Sequence, residues 1–225
     1  MPEHAGVIAA ALASKRLLSE ASQTWELSFT CSEPLTYQPG QFYSFVTERD
    51  GKQEVRAYSL TQAPDGDRMV LCLNRAGWYS NLLCDLKAGE TVHVQGPYGG
   101  FVLHEGPGII LADGVGIAPV AAMVDALLRA QRNAGSLHLL HTASSESELF
   151  YRDRFERAER EITGFRYLPL PGVELAPRLE EILSQAGGEK PTAYIVGLNA
   201  FAAPLRQWLK DRGWDRKQIV FERYD

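Results

Sequence analysis

The sequence predicts two domains, an N-terminal antiparallel β-barrel followed by a C-terminal α/β domain with a five-stranded parallel sheet. Three observations predict it. Over the first hundred residues, apolar side chains alternate with polar ones between closely spaced turn signals, the pattern of short half-buried strands. After Gly106-Pro107-Gly108 the pattern changes to continuous apolar runs separated by helical stripes, as expected for strands buried on both faces. The length, 225 residues, is too great for one small core and suits two units of about 100 residues each. The boundary is placed so that residues 1–105 form the barrel and residues 106–225 the α/β domain.

In the first half, the apolar run Ala5 to Ala13 reads as the first strand. A secretory signal would need a basic start and a longer apolar core, whereas Glu3 precedes the run and Lys15 and Arg16 follow it. Trp25, Leu27, Phe29 and Cys31 alternate with polar neighbours, as do Met69, Leu71 and Leu73, and Val92 and Val94. Pro39-Gly40, Asp50-Gly51, Pro64-Asp65-Gly66, Gly89 and Gly96-Pro97 mark the turns between strands. One helix is expected from about Ser80 to Leu86. In the second half the predicted strands are Ile109 to Ala112, Leu137 to His141, Phe165 to Leu168, Ala193 to Val196 and Gln218 to Phe221. Between them, Val120, Met123, Val124, Leu127 and Leu128 form one helical stripe, and Tyr151, Phe155, Ala158 and Ile162 mark a second. Helices are also expected at Arg178 to Leu183 and around Phe201, Leu205, Trp208 and Leu209. Right-handed crossovers then give a parallel sheet.

The hydrophobic share, 45%, is that of a soluble globular chain. The formal charge of −5, with Lys and Arg dispersed, gives no nucleic-acid surface. The three cysteines, Cys31, Cys72 and Cys84, form no Cys-x-x-Cys pair and cannot complete a four-thiolate cluster; their odd, sparse count fits a reducing compartment, so a cytoplasmic location is expected. The five histidines show no metal-binding spacing, and no stretch has the length of a membrane span.

Four short segments carry chemistry. After the strand Ile109 to Ala112 comes Asp113-Gly114-Val115-Gly116-Ile117-Ala118-Pro119. Glycines at the carboxyl end of such a strand let a phosphate approach the backbone, and the following helix offers free N–H groups and its positive end. It is not the G-x-G-x-x-G fingerprint of ordinary dinucleotide dehydrogenases. Arg56-Ala57-Tyr58-Ser59-Leu60, read at the start of a barrel strand, offers a guanidinium fork for phosphate, a flat aromatic face and a hydroxyl, with Arg56 and Tyr58 on one strand face. Gly77-Trp78-Tyr79-Ser80 leads into the short helix, with Ser80 as its N-cap and the helix start as a second phosphate seat. Gly96-Pro97-Tyr98-Gly99-Gly100-Phe101 is a rigid turn with an aromatic at each end, compatible on its own with a simple hairpin connection.

In this order and on these elements the four segments resemble the ferredoxin–NADP reductase superfamily. The resemblance runs from Pro39-Gly40-Gln41-Phe42 to the C-terminal Phe221-Glu222-Arg223-Tyr224-Asp225. It implies a flavin-binding barrel and a nicotinamide-nucleotide-binding α/β domain. By resemblance Arg56 contacts the flavin phosphate, Tyr58 packs on the isoalloxazine ring, Ser59 lies near its reactive nitrogen, and Leu60 and Tyr79 belong to the same site. Gly77 and Ser80 take the flavin pyrophosphate. Gly114, Val115, Gly116, Ile117 and Pro119 correspond to the family's G-T-G-I-A-P loop, which holds the nucleotide together with Gly197. Glu222 is placed beside the nicotinamide, and Tyr224 stacks on the flavin and moves aside for hydride transfer, so that Ser59, Glu222 and Tyr224 are the expected catalytic residues. FAD is implied rather than FMN, and NADH or NADPH is the co-substrate. No Arg follows the second strand at His141-Thr142-Ala143-Ser144-Ser145-Glu146, which leans toward NADH. The implied acceptor is a separate one-electron carrier, a ferredoxin or an oxygenase component.

The chain departs from the family pattern at three places. Val115 stands where Thr is usual, losing a hydroxyl hydrogen bond of about 1 kcal/mol. Asp113 stands where a second Gly is usual and brings negative charge toward the pyrophosphate seat. Val196-Gly197-Leu198-Asn199 replaces a Cys-Gly-Pro or Cys-Gly-Asn turn. Two other readings therefore stay open: a reductase of a small molecule such as free flavin or a quinone, and a flavin-binding electron-transfer or regulatory subunit whose nicotinamide site has decayed.

Overall fold

The computed structural model describes residues 6–185 and 190–224. Ala5, at the start of the predicted first strand, and Asp225, the last residue of the C-terminal motif, lie outside the described residues. The chain divides into two compact units between Val102 and Leu103.

The first unit contains β1 (Ile8–Ser19), β2 (Thr24–Cys31), β3 (Phe42–Arg49), β4 (Lys52–Ser59), β5 (Arg68–Asn74), α1 (Trp78–Asp85) and β6 (Thr91–Tyr98). Its sheet has the order β4-β3-β6-β1-β2-β5 and is antiparallel throughout. The two outer strands meet: Leu60 bridges Leu71, and the Thr61 N–H donates to the Val70 carbonyl (3.0 Å). This joins the exit of β4 to β5 and closes the barrel, which removes free edges. Inward-facing Leu12, Leu27, Phe29, Phe45, Leu60, Met69, Leu71 and Val94 fill it together with Leu83 of α1. Phe29 meets Phe45 edge to face at 5.8 Å.

Several local expectations change. The segment Arg56 to Ser59 occupies the last half of β4 rather than a strand start, because the Asp50-Gly51 turn, with both residues at positive φ, begins the strand at Lys52. Strand β5 is buried on both faces, Val70 and Cys72 included, where alternation predicted one wet face. Gly96-Pro97-Tyr98 is no hairpin connection: it finishes β6, with Tyr98 paired to Phe42. Glycine is required at 96, since φ is +159° and a Cβ would lie 2.8 Å from the Tyr43 ring.

The second unit contains β7 (Gly108–Asp113), α2 (Ile117–Ala130), β8 (Leu137–Ala143), α3 (Arg152–Glu161), β9 (Phe165–Pro171), α4 (Leu175–Gln185), β10 (Thr192–Leu198), α5 (Asn199–Asp211) and β11 (Ile219–Tyr224). The five strands are parallel in the order β11-β10-β7-β8-β9, as predicted. β7 runs down the centre and is buried from Gly108 to Ala112. The chain moves outward from β7 through β8 and β9, then crosses to β10 and β11 on its other side. The strand order thus reverses between β7 and β10, and ligands of open α/β sheets bind in the crevice at such a reversal, beyond the carboxyl ends of the strands.

Candidate functional sites

In the first unit the exit of β4 and the start of α1 come together. Arg56 and Tyr58 share a strand face, as their spacing requires. The Arg56 side chain is 58% exposed; its Nη1 donates to the Val55 carbonyl (2.7 Å) and faces the Glu54 carboxylate (3.3 Å). Tyr58 is half-buried, edge-on to Phe45 (5.3 Å between centroids) and 6.3 Å from the ring of Tyr79. Burial pushes the Tyr58 phenol far above its ordinary range and that of Tyr79 up to about 12, with the Arg56 charge offsetting part of each shift. Both stay neutral donors. The Tyr79 hydroxyl is buried and has no hydrogen-bond partner in the structure. A buried, unmatched O–H costs about 1–3 kcal/mol, so a bound group that accepts from it would be favoured.

Ser59, the last residue of β4, is buried beside this face. Leu60 is wholly in the barrel core and leaves no side-chain surface for a ligand. Ser80 is not the N-cap. The helix begins two residues earlier, with Gly77 in the capping position, and Ser80 reaches back from the first turn. Its hydroxyl accepts from the Ala76 and Gly77 N–H groups and donates to the Gly77 carbonyl, each at 3.0 Å. It therefore shapes the turn. Gly77 itself is extended, and a Cβ there would meet nothing within 4 Å. The fold does not need glycine at 77, and the space beside its backbone is open.

In the second unit, β7 ends at Asp113, a short 3₁₀ turn covers Gly114–Gly116, and α2 follows at once. A Cβ on Gly116 would lie 2.8 Å from the Val196 carbonyl oxygen and 2.9 Å from the Gly197 Cα. Gly197, at φ +157°, has Asp113 and Phe201 as its nearest side-chain neighbours. The loops after β7 and β10 therefore touch backbone to backbone at the strand-order reversal. The space over Gly114 is open, and φ of +52° suits glycine there. Ile117 and Pro119 are buried, so only their backbones can serve a ligand, and the Ile117 N–H already donates to the carbonyls of Gly114 and Val115. Val115 is half-buried.

Asp113 lies beside Thr142 in the β7–β8 register, and its carboxylate accepts a hydrogen bond from the Thr142 hydroxyl (2.7 Å). Beyond β10, on the side away from β7, lies β11, whose Glu222 is in register with Val196 and whose Tyr224 is in register with Leu198. Both are half-buried on the same face of the strand, while Phe221 and Arg223 are exposed on the other. The carboxyl end of the sheet thus carries Gly114 and Gly116 after β7, Gly197 in β10, and Glu222 and Tyr224 one strand further out on β11.

Four residues in or beside these segments carry no role in the sequence reading. Thr142 stands in the segment read for coenzyme choice, but no local pattern ties it to Asp113. Glu54 carried a signal, standing two residues before Arg56 on the same strand face. Trp78 and its partner Arg49, whose guanidinium lies 4.6 Å from the indole centroid, went unassigned although Trp78 sits inside the Gly77 to Ser80 segment.

The sequence matches the oxidoreductase FAD-binding domain family over residues 9–103 and the oxidoreductase NAD-binding domain family over residues 110–207. It is 31% identical over 223 residues to ferredoxin–NADP reductase B of Sorangium cellulosum, covering 89% of this chain and 91% of that protein. It is 29% identical to the toluate 1,2-dioxygenase electron transfer component of Pseudomonas putida, covering 96% of this chain and 67% of that one. A flavohemoprotein of Pseudomonas putida is 30% identical, and there the match covers 84% of this chain and about half of the relative, 51%. Among solved structures, a Neisseria gonorrhoeae ferredoxin–NADP⁺ reductase with bound FAD and NADP shares the fold at TM-score 0.78 and 21% identity, covering 96% of this chain and 98% of that one. An Amycolatopsis cytochrome P450 reductase does so at 0.79 and 23%, covering 98% and 71%. Motifs, topology and relatives agree, and the chain belongs to the ferredoxin–NADP reductase superfamily, as an NAD(P)H-dependent flavin oxidoreductase with an FAD-binding barrel followed by an NAD-binding α/β domain.

Proposed function

We propose that this chain takes electrons from NADH, in preference to NADPH, and delivers them singly to a separate carrier protein, a ferredoxin or the terminal component of an oxygenase. The observation that carries the reading is the crevice at the β7–β10 reversal. Gly116 admits no side chain there, and Glu222 and Tyr224 stand toward the carboxyl end of the next strand but one from β7, in register with Val196 and Leu198. Relatives named as oxygenase electron transfer or reductase components support the class of acceptor.

When bound, the flavin supplies the conversion between two-electron and one-electron transfer. The chain supplies binding and placement. Arg56 turns from Glu54 to the flavin phosphate, Tyr58 gives the isoalloxazine an apolar face, Ser59 offers its hydroxyl at the ring, and Gly77 lets the pyrophosphate reach the helix start. Tyr79, whose buried O–H has no partner, would donate to a bound flavin. In the crevice, Gly114, Val115 and Gly116 seat the nucleotide phosphates, while Ile117 and Pro119 hold the helix start in place. Gly197 keeps the opposite wall low, and Glu222 and Tyr224 meet the nicotinamide end.

The preference for NADH rests on the loop after β8. Arg152 is the first cation beyond it, and it is held by both Glu146 and Glu156, so no free guanidinium awaits a 2′-phosphate from that residue. The three cysteines are free and buried, which supports a cytoplasmic setting, and no helix among the described residues is long and apolar enough to cross a membrane.

The test is anaerobic absorbance spectroscopy of the purified, FAD-loaded protein. Rapid bleaching of the visible flavin band by NADH, and slower bleaching by NADPH, is expected. A yellow protein that neither nucleotide bleaches would leave a flavin-binding subunit without nucleotide activity. Subsequent oxidation by a ferredoxin, but not by free flavin or a quinone at comparable concentration, separates a protein acceptor from a small one.

A further inference from the structure

We propose that Trp78 and Arg49 form the seat for the adenosine half of FAD, and that this seat is what makes the chain select FAD over FMN. The proposal rests on the flavin reading of the barrel. Trp78 is the first residue of α1, directly after Gly77, and 40% of its surface is exposed. A tryptophan that open contributes little to the core, whose aromatic positions are filled by Phe29, Tyr43, Phe45 and Tyr79. It is nevertheless held in a fixed place. Its ring meets Tyr79 at 90° with centroids 5.7 Å apart, and the Arg49 guanidinium, on the last residue of β3, stands 4.6 Å from its centroid.

The arrangement is continuous. Tyr58 packs near Tyr79, Tyr79 meets Trp78, and Trp78 meets Arg49, so a row of rings leads from the Arg56–Tyr58 face past the open backbone of Gly77 to a cation. Each step matches a part of FAD in order: a flat face for the isoalloxazine, an open backbone and helix start for the pyrophosphate, and an indole for the adenine. Purine bases stack on aromatic side chains without needing a specific edge, and a guanidinium beside the stack adds cation–π attraction or a phosphate contact. Arg49 is free to do so, since its loose pair with Asp50 (3.6 Å) joins two exposed groups. FMN ends at its single phosphate and lacks the adenine that the indole would take.

Flavin-free full-length protein titrated separately with FAD and FMN, read by quenching of flavin fluorescence, tests this. Wild type binds FAD more tightly than FMN. Trp78→Ala weakens FAD by about 5- to 100-fold, the range measured for removing one stacked base, and leaves FMN unchanged. Trp78→Phe restores most of the loss, and Arg49→Leu weakens FAD alone. The unchanged FMN affinity also shows that the variants fold. Equal affinities for the two flavins in wild type, an unchanged FAD affinity in Trp78→Ala, or a parallel loss of both flavins, would overturn the adenosine seat while leaving the barrel a flavin site. A wild-type chain that binds neither flavin would remove the flavin reading itself and the seat with it.

Discussion

Replacing Gly116 by alanine puts a methyl group where backbone already stands. The new Cβ would lie 2.8 Å from the Val196 carbonyl oxygen, 2.9 Å from the Gly197 Cα and 3.0 Å from the Gly197 nitrogen. None of these atoms is the end of a flexible side chain, so relief requires the loop after β7 to separate from β10. Overpacking of this kind costs about 1–3 kcal/mol. At about 4 °C per kcal/mol for a unit of this size, the α/β unit should melt about 4–12 °C earlier. The same displacement moves the nucleotide seat, so NADH affinity falls while flavin content is retained, because nothing in the barrel is touched. Gly77→Ala is the counterpart. A Cβ there meets nothing within 4 Å and the backbone is extended, so the apoprotein should be unchanged or stabilised by up to about 1 kcal/mol, yet flavin affinity should fall. Urea unfolding of the flavin-free proteins, flavin content by absorbance, and NADH titration of the reconstituted proteins give the three readouts. A Gly116→Ala protein with wild-type stability and NADH affinity would refute the reasoning that the two glycine loops form one packed crevice.

Arg56→Ala should lower flavin affinity by about 10- to 100-fold, the worth of a charge-assisted hydrogen bond, as read by flavin retention on gel filtration and by fluorescence titration. Glu222→Ala should slow anaerobic bleaching by NADH about 10- to 100-fold with flavin content intact; a full reduction rate would remove this residue from the mechanism. Tyr79→Phe deletes a buried hydroxyl that has no partner, so the apoprotein should gain about 1 kcal/mol in urea unfolding while FAD affinity drops; unchanged FAD affinity would mean that the hydroxyl does not face the flavin. His141 is fully buried, and burial alone pushes its pKa down to about 3. The unfolded chain takes up that proton first, so this stabilising contribution is whole above about pH 6.5 and is lost as pH falls toward 3, and His141→Gln should flatten the unfolding free energy measured between pH 7 and pH 4.

The alternation from Trp25 to Cys31 and the apolar run from Ile109 to Ala112 were legible because period and burial agree there: β2 is half-buried and β7 is buried on both faces. β5 misled because Val70 and Cys72 are themselves apolar, so alternation was a weak cue, and both sides are covered. The N-terminus of α1 was misplaced by two residues because a serine hydroxyl satisfies early amides equally well from the cap or from within the first turn, and composition cannot tell these apart. The register that sets Glu222 beside Val196 depends on pairing between strands, which no local pattern encodes.

Asp113 shows how far a motif comparison reaches without a structure. Read along the chain, an aspartate in place of glycine sets negative charge beside a phosphate seat and argues for a weakened nucleotide site. Read across the sheet, Asp113 is in register with Thr142, and the threonine hydroxyl, 2.7 Å away, takes up a carboxylate oxygen on the β8 side of the strand. The hydrogen bond fixes where that oxygen sits. The Asp113 Cβ also stands against the β10 wall, 3.3 Å from where a Cβ on Gly197 would lie, where Gly116 meets the Val196–Gly197 backbone. The aspartate is therefore a strand-end residue with its own partner, and one of its carboxylate oxygens is engaged by Thr142, which weakens the charge argument for a lost nucleotide site. The other departures are Val115 and Val196. Neither adds charge, and the hydroxyl missing at Val115 is worth about 1 kcal/mol. A loss of that size lowers affinity by less than about tenfold and leaves the glycine-walled crevice and the Glu222–Tyr224 edge in place, which is why the reductase reading is preferred to that of a subunit with a dead nucleotide site.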